Sequence, residues 1–192
     1  VPDEPTLPVL YVLACGARPA AELRPFVTGR QRAGWQVCVV ATPSALGFLD
    51  AAELSGLTGH PVRSAYKRPD EPDVLPPAEA MVVAPATFNT VNKMSVGHSD
   101  TLVLGLVNEA IGLGLPVVVA PAVNRPLARH PVFADSLSRL ESWGVRVVHT
   151  PDRLPPPNSP PGPATWFPWT AVAGAVDAVR PPRPGAGTAS PA

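Results

Sequence analysis

The chain has 192 residues, with 15 Lys+Arg balancing 15 Asp+Glu, and zero net charge removes any bulk electrostatic case for nucleic acid or an anionic membrane as partner. Its length suits one domain; hydrophobic residues make up 45% and charged residues only 16%, where an average soluble domain has about 25% charged, so part of the surface is expected to be buried against other subunits. Of the 28 prolines, 12 fall between Pro151 and Ala192; residues 1–180 therefore read as a single domain, and the Pro/Gly-rich stretch 181–192 as a disordered tail.

In chain order, Leu7 to Cys15 is apolar almost without alternation, as a strand covered on both faces must be. Gly16 breaks it, and Arg18 to Ala33 predicts a helix in which Pro25 demands a kink or a later start. Gln36 to Ala41 is a second buried strand, and Thr42-Pro43 opens a helix running to about Leu54. Residues 55–79 read as irregular, with a short strand at Val62 to Tyr66. Ala80 to Ala84 is a strand, followed by helical pieces at Asn89 to Val96 and Ser99 to Leu113, the second so apolar that it must be buried on most sides. Leu115 to Ala120 is a strand, Pro131 to Trp143 an amphipathic helix, Val145 to His149 the last strand, and Thr170 to Val179 a short helix.

Alternating strands and helices, with near-continuous valine-rich strands, specify a three-layer α/β fold: a Rossmann/flavodoxin-like parallel sheet with helices on both faces. Ligands of such sheets bind beyond the carboxyl ends of the strands. That rule selects Cys15-Gly16-Ala17-Arg18, Ala41-Thr42-Pro43-Ser44, Ala84 to Thr90 and Ala120 to Asn124. The first loop has one glycine, so the dinucleotide fingerprint and the phosphate loop of nucleotide-binding proteins are both absent, against NAD and ATP. Helix N-termini at strand ends suit a single phosphate, with Gly16 admitting backbone N–H groups and Thr42 and Ser44 adding hydroxyls; the alternative is that Thr42 and Ser44 only cap their helix. Asn89 and Asn124 can pair with a heterocycle edge or a carboxylate without bringing charge.

Cys15 and Cys38 read as buried free thiols, a disulfide requiring neighbouring strands of suitable geometry. No metal-ligand spacing exists. No apolar run approaches the roughly 18 residues of a membrane-spanning helix, and the first residues lack the features of a signal peptide; a cytoplasmic protein is the expectation.

Pro85 to Thr90 (PATFNT), followed by Lys93, Gly97 and Asp100, resembles the P-A-S-A-N-T motif of the homo-oligomeric flavin-containing cysteine decarboxylases, the family of phosphopantothenoylcysteine decarboxylase and the peptidyl-cysteine decarboxylases. Pro121 to Pro131 (PAVNRPLARHP) is similar to its second motif, P-x-M-N-x-x-M-W, keeping Pro121 and Asn124 but not the methionines or the tryptophan. Thr42 to Phe48 and Cys15-Gly16 resemble its phosphate-binding segments. The resemblance implies FMN as cofactor, held between subunits of a homotrimer that in some members assembles into a dodecamer. By position it assigns Gly16, Ala17, Thr42, Ser44, Phe48, Ala86, Thr87, Asn89, Lys93 and Asp100 to the cofactor, and Asn89 and Asn124 to catalysis on a small-molecule or peptide carboxylate.

The family's histidine, shortly before the strand leading into P-A-S-A-N-T, is missing: none stands between His60 and Pro85. His60, reaching back from its loop, and His98, beside the motif glycine, are the candidates to replace it. The C-terminal clamp is unrecognisable, since Pro155 to Trp169 has no cysteine; Trp166, Phe167 and Trp169 are expected either to pack on the domain or to cover the site. Two function classes stay open: an FMN-dependent lyase oxidising and decarboxylating a thiol-bearing carboxylate, and a flavin-binding carrier or regulatory subunit without that chemistry. A flavin prenyltransferase is a lesser alternative, its serine- and arginine-rich signatures being absent.

Overall fold

Short β-branched runs bounded by Gly, Pro and polar residues favour extended backbone that pairs with its like, and here they build one sheet. A computed structural model describes residues 7–160 and 162–181; the tail expected at 181–192 therefore lies, beyond Pro181, outside the described residues. Strands β1 (Val9–Ala14), β2 (Gln36–Ala41), β3 (Ala80–Ala86), β4 (Val117–Pro121) and β5 (Arg146–Val147) form a five-stranded parallel sheet in the order β2-β1-β3-β4-β5. Val12 lies opposite Val39 on one side and Val82 on the other. Because successive side chains point to opposite faces, Leu10, Val12, Val37, Val39, Val82 and Val118 enter one core with helices α1 (Leu23–Arg32), α2 (Ala51–Thr58) and α7 (Trp169–Ala178). Tyr11, Leu13, Cys38, Val40, Met81 and Val119 enter the other, against α3 (Phe88–Ser95), α4 (Leu102–Gly112) and α6 (Pro131–Ser142). The three-layer expectation holds.

Differences from the sequence expectation are local and follow capping. Residues 18–22 form a 3-10 turn, and α1 starts only at Leu23, which puts Pro25 in the first turn, where it costs no helix bond. The helix expected from Pro43 to Leu54 is two pieces: a 3-10 turn at Pro43–Gly47, then α2, restarted by Asp50, whose carboxylate accepts the Glu53 N–H at 2.9 Å. Val62 to Tyr66 contributes a single parallel bridge, Val40 to Arg63. Thr101 caps α4 and delays its start to Leu102, while Asn124 nucleates α5 (Arg125–Ala128), which the sequence reading missed. The last strand shrinks to two residues at the sheet edge. Cys15 and Cys38 are buried and free. No helix among the described residues is long and apolar enough to cross a membrane.

The chain steps from β1 to β2 on one side and returns to β3 on the other, so the topological switch point lies between β1 and β3. Their carboxyl ends are tied together by the Cys15 N–H donating to the Pro85 carbonyl at 3.0 Å. That crevice is where an open parallel sheet offers a ligand site.

Candidate functional site

At the switch point Gly16 has no side chain for a steric reason. A Cβ there would lie 2.7 Å from Ser44 Oγ and 2.9 Å from Ser44 Cβ, so glycine alone lets the turn after β2 close onto the loop after β1. The capping alternative for Thr42 and Ser44 fails: their 3-10 turn has no side-chain cap, and the hydroxyls pair with each other at 3.1 Å. Thr87, by contrast, does cap its helix, accepting the Thr90 N–H at 3.2 Å and pairing with the Thr90 hydroxyl at 2.9 Å. Together Thr42, Ser44, Thr87, Asn89, Lys93 and the first turn of α4 enclose a cavity of about 260 Å³. Lys93 forms an ion pair with Asp100, whose hydrogen bond holds that carboxyl below the usual range. Beneath the cavity the Cys15 thiol is fully buried, and burial pushes its pKa up against opposing hydrogen bonds from Thr90 and Thr87, leaving a neutral, unreactive thiol.

Two further hollows are present, of which only the first shares lining residues with this one. A groove of about 450 Å³ between α3 and α6 shares Asn89 and Lys93 with the cavity and is also lined by His98, Asp135 and Arg139. A second cavity, of about 300 Å³, holds Ala17, Arg18 and Asn124. Asn124 Oδ1 accepts the Leu127 N–H at 3.1 Å to cap α5, which leaves its amide NH2 as the group free to donate. Over this cavity lies the Pro-rich segment. Prolines supply carbonyls but no N–H groups, so the segment cannot join the sheet and is held by guanidinium donors instead: Arg125 Nε to the Leu154 carbonyl at 2.9 Å and Arg18 Nη1 to the Pro160 carbonyl at 2.5 Å. Its aromatic residues Trp166, Phe167 and Trp169 all pack on the α1/α7 side, Phe167 and Trp169 edge to face with centroids 4.7 Å apart, and Trp166 also lines the Asn124 cavity. The packing expectation for these residues is the one the structure meets.

The predicted site residues are thus divided. Thr42, Ser44, Thr87, Asn89 and Lys93 converge on one cavity, with Gly16 packed behind Ser44 and Asp100 paired with Lys93. Ala17 and Asn124 line the separate second cavity, and His98 lines the groove that shares Asn89 with the first. Ala86 is buried in β3, where its carbonyl accepts the Ala122 N–H at 2.7 Å, and Phe48 projects from its turn 40% exposed. His60 is excluded as a replacement base: its ring meets Gln36 at the start of β2, the opposite edge of the sheet. Sequence reasoning overlooked His149, just past β5, whose ring packs edge-on against Phe133 at 5.6 Å. Its Nδ1 is buried without a partner among the described residues, and burial lowers its pKa; its place at a strand end was the available signal.

Residues 7–178 match the family model described as Flavoprotein. A protein named "Probable phosphopantothenoylcysteine decarboxylase" from Streptococcus mutans is 28% identical over 121 residues, covering 60% of this chain and 67% of that protein. The coenzyme A biosynthesis bifunctional protein CoaBC of Mycolicibacterium smegmatis is 31% identical over 135 residues, covering 68% of this chain and 32% of that protein. The chain therefore spans about a third of this bifunctional relative's length. Among solved structures, the FMN binding protein AtHal3 superposes with a TM-score of 0.69 at 22% identity, over 89% of this chain and 95% of that one. The FMN-dependent cysteine decarboxylase SpaF gives 0.66 at 19% identity, over 91% and 98%. At these identities the structural likeness speaks for the fold.

Proposed function

The chain belongs to the Flavoprotein family, and from that premise we propose that it binds FMN at the β1/β3 switch point and oxidatively decarboxylates a cysteine-derived thiol-carboxylate. The observation that carries this reading is the closure of Ser44 onto Gly16, which leaves two hydroxyls, Thr42 and Ser44, uncommitted to capping at the mouth of a cavity. The donor set fits the group: small residues admit backbone N–H donors to a phosphate, and Asn89 offers an uncharged amide to a heterocycle edge. Gly16, Thr42 and Ser44 would hold the phosphate, and Thr87 and Asn89 the remainder.

When bound, the flavin supplies a two-electron oxidant. The chain's own residues do the rest. His98, which shares a groove with Asn89, takes the thiol proton, a role that typically contributes about 10²–10⁴-fold. The Asn124 amide and Arg18 hold the carboxylate in the second cavity, and the Trp166 side of that cavity excludes water. Oxidation of the CH2–SH group to a thioaldehyde places an electron sink two bonds from the carboxylate, so carbon dioxide departs and an enethiol remains. Three of the relatives named above carry the names of a probable phosphopantothenoylcysteine decarboxylase, a coenzyme A biosynthesis protein and a cysteine decarboxylase, so phosphopantothenoylcysteine and a cysteine-ended peptide are the substrates to offer.

A homotrimer, or a multiple of it, completes the proposal. Leu113 at 68% and Val96 at 58% exposure flank α4 and the α3/α6 groove, apolar area that a partner copy would cover. Light scattering of flavin-loaded protein should return a mass three, or a multiple of three, times that of the chain; a monomer would contradict it. Under anaerobic single turnover, one of the two substrates should bleach the flavin and lose carbon dioxide by mass; flavin uptake without bleaching by either would leave a carrier rather than a lyase.

A further inference from the structure

The stretch between α2 and β3 is a strap, and one residue of it reaches the wall of the switch-point cavity. It leaves the sheet where the Ala41 N–H donates to the Arg63 carbonyl at 2.7 Å, one residue before Thr42, and rejoins it where the Glu79 N–H donates to the Val9 carbonyl at 2.9 Å. In between it is folded on itself by the Lys67–Asp73 ion pair at 2.7 Å and by the Arg68 N–H donating to Glu71 at 3.1 Å, and Tyr11 Oη donates to its Pro76 carbonyl at 2.8 Å. Tyr66 extends from this strap to the N-terminal turn of α4. Its hydroxyl lies 3.1 Å from the Thr101 carbonyl and 3.4 Å from the Ser99 carbonyl. It can come so close because residue 105 is glycine: a Cβ there would sit 2.0 Å from Tyr66 Oη and 3.0 Å from Cζ.

A glycine inside a helix costs about 1 kcal/mol relative to alanine, and Gly105 does not need its conformational freedom, since it lies within the regular helix Leu102–Gly112. What it provides is a socket. Thr101, to whose carbonyl the phenol donates, is the α4 N-cap, and Thr101 and Leu104 line the cavity opposite Thr42 and Ser44. We infer that Tyr66 is a positioning residue for the flavin cavity: seated on Gly105, it fixes the first turn of α4 and thereby the distance between that wall and the Thr42–Ser44 turn. The phenol proton is committed to a carbonyl, so Tyr66 orders the site and takes no part in proton transfer. The inference rests on the FMN reading of the cavity.

The test is a double-mutant cycle on the full chain, reading the FMN dissociation constant by flavin fluorescence and the melting temperature of the flavin-free protein. Tyr66→Phe, which keeps the ring and loses one hydrogen bond, should weaken FMN about 3- to 10-fold. Gly105→Ala should weaken it at least as much in the wild-type background, yet leave affinity unchanged and raise the melting temperature in a Tyr66→Gly background, where the socket is empty and only helix propensity remains. Equal effects of Gly105→Ala in both backgrounds, or a lowered melting temperature with FMN affinity untouched throughout, would overturn the inference. A wild-type protein that takes up no FMN would overturn the flavin reading first and this inference with it, an outcome distinct from uptake that none of the variants alters.

Discussion

The two cavities at the carboxyl edge are built by opposite means. The switch-point cavity is made of short side chains and backbone brought close together: Gly16 against Ser44, Thr42 beside Ser44, Thr87 capping α3. The Asn124 cavity is made by long side chains stretched to a distant segment, Arg18 and Arg125 reaching carbonyls of residues 154 and 160. The first kind of site is built on the turns that directly follow the strands, and the second depends on the distant segment that its arginines hold. In functional terms the first suits a resident cofactor and the second a substrate that must enter and leave.

If that division is right, substitutions should separate turnover, cofactor affinity and substrate affinity. The largest effect belongs to His98→Ala, in the groove next to Asn89: single-turnover flavin bleaching should slow about 10²–10⁴-fold, with FMN affinity intact by fluorescence titration. Next, Gly16→Val forces Ser44 away from the switch point. Overpacking of about 1–3 kcal/mol should lower the melting temperature of the flavin-free protein, and displacement of the Ser44 hydroxyl should weaken FMN about 5- to 100-fold beyond that. On the other cavity, Trp166→Ala should raise the substrate KM about 5- to 10-fold, consistent with about 1 kcal/mol of lost apolar contact, and leave FMN affinity as it was. Loss of FMN affinity in Trp166→Ala would mean that the two cavities are one site.

The first cavity was legible in the sequence and the second was not, for a physical reason. Gly16, Thr42, Ser44 and Thr87 stand at strand ends, and the strands announce themselves as unbroken Val/Leu runs, so the parallel-sheet rule alone brings these residues to one edge. Asn124 could be placed on the same edge, but not its roof. The contacts from Arg18 to Pro160 and from Arg125 to Leu154 join residues far apart in the chain through side chain and carbonyl, and no periodicity encodes such pairs. The split of the 43–58 region into a 3-10 turn and α2 was hidden because Thr42-Pro43 reads as a helix start, while Asp50 provides the cap that is actually used. The Gly105 socket was equally invisible, since an isolated glycine in an apolar helix gives no hint of which distant side chain it accommodates.

The smallest effect is on pH. Burial lowers the His149 pKa below its ordinary 6.5, so the folded chain holds this proton less well than the unfolded one. As pH falls below about 6.5 the unfolded state takes up a proton that the native state does not, and stability declines until the folded pKa is passed; above that range the contribution is fully present. His149→Gln should flatten that part of the melting-temperature profile. A profile identical to wild type would show that the His149 pKa does not differ between the folded and unfolded chain.

The most direct measurement is a comparative titration of purified protein with FMN and with riboflavin, followed by flavin absorbance and fluorescence. A phosphate held by the Gly16 loop and the Thr42 and Ser44 hydroxyls predicts saturable FMN uptake and riboflavin binding at least about tenfold weaker, as the loss of charge-assisted hydrogen bonds requires. Failure to take up FMN, or equal affinity for the two flavins, would contradict the assignment of the switch-point cavity to a flavin mononucleotide.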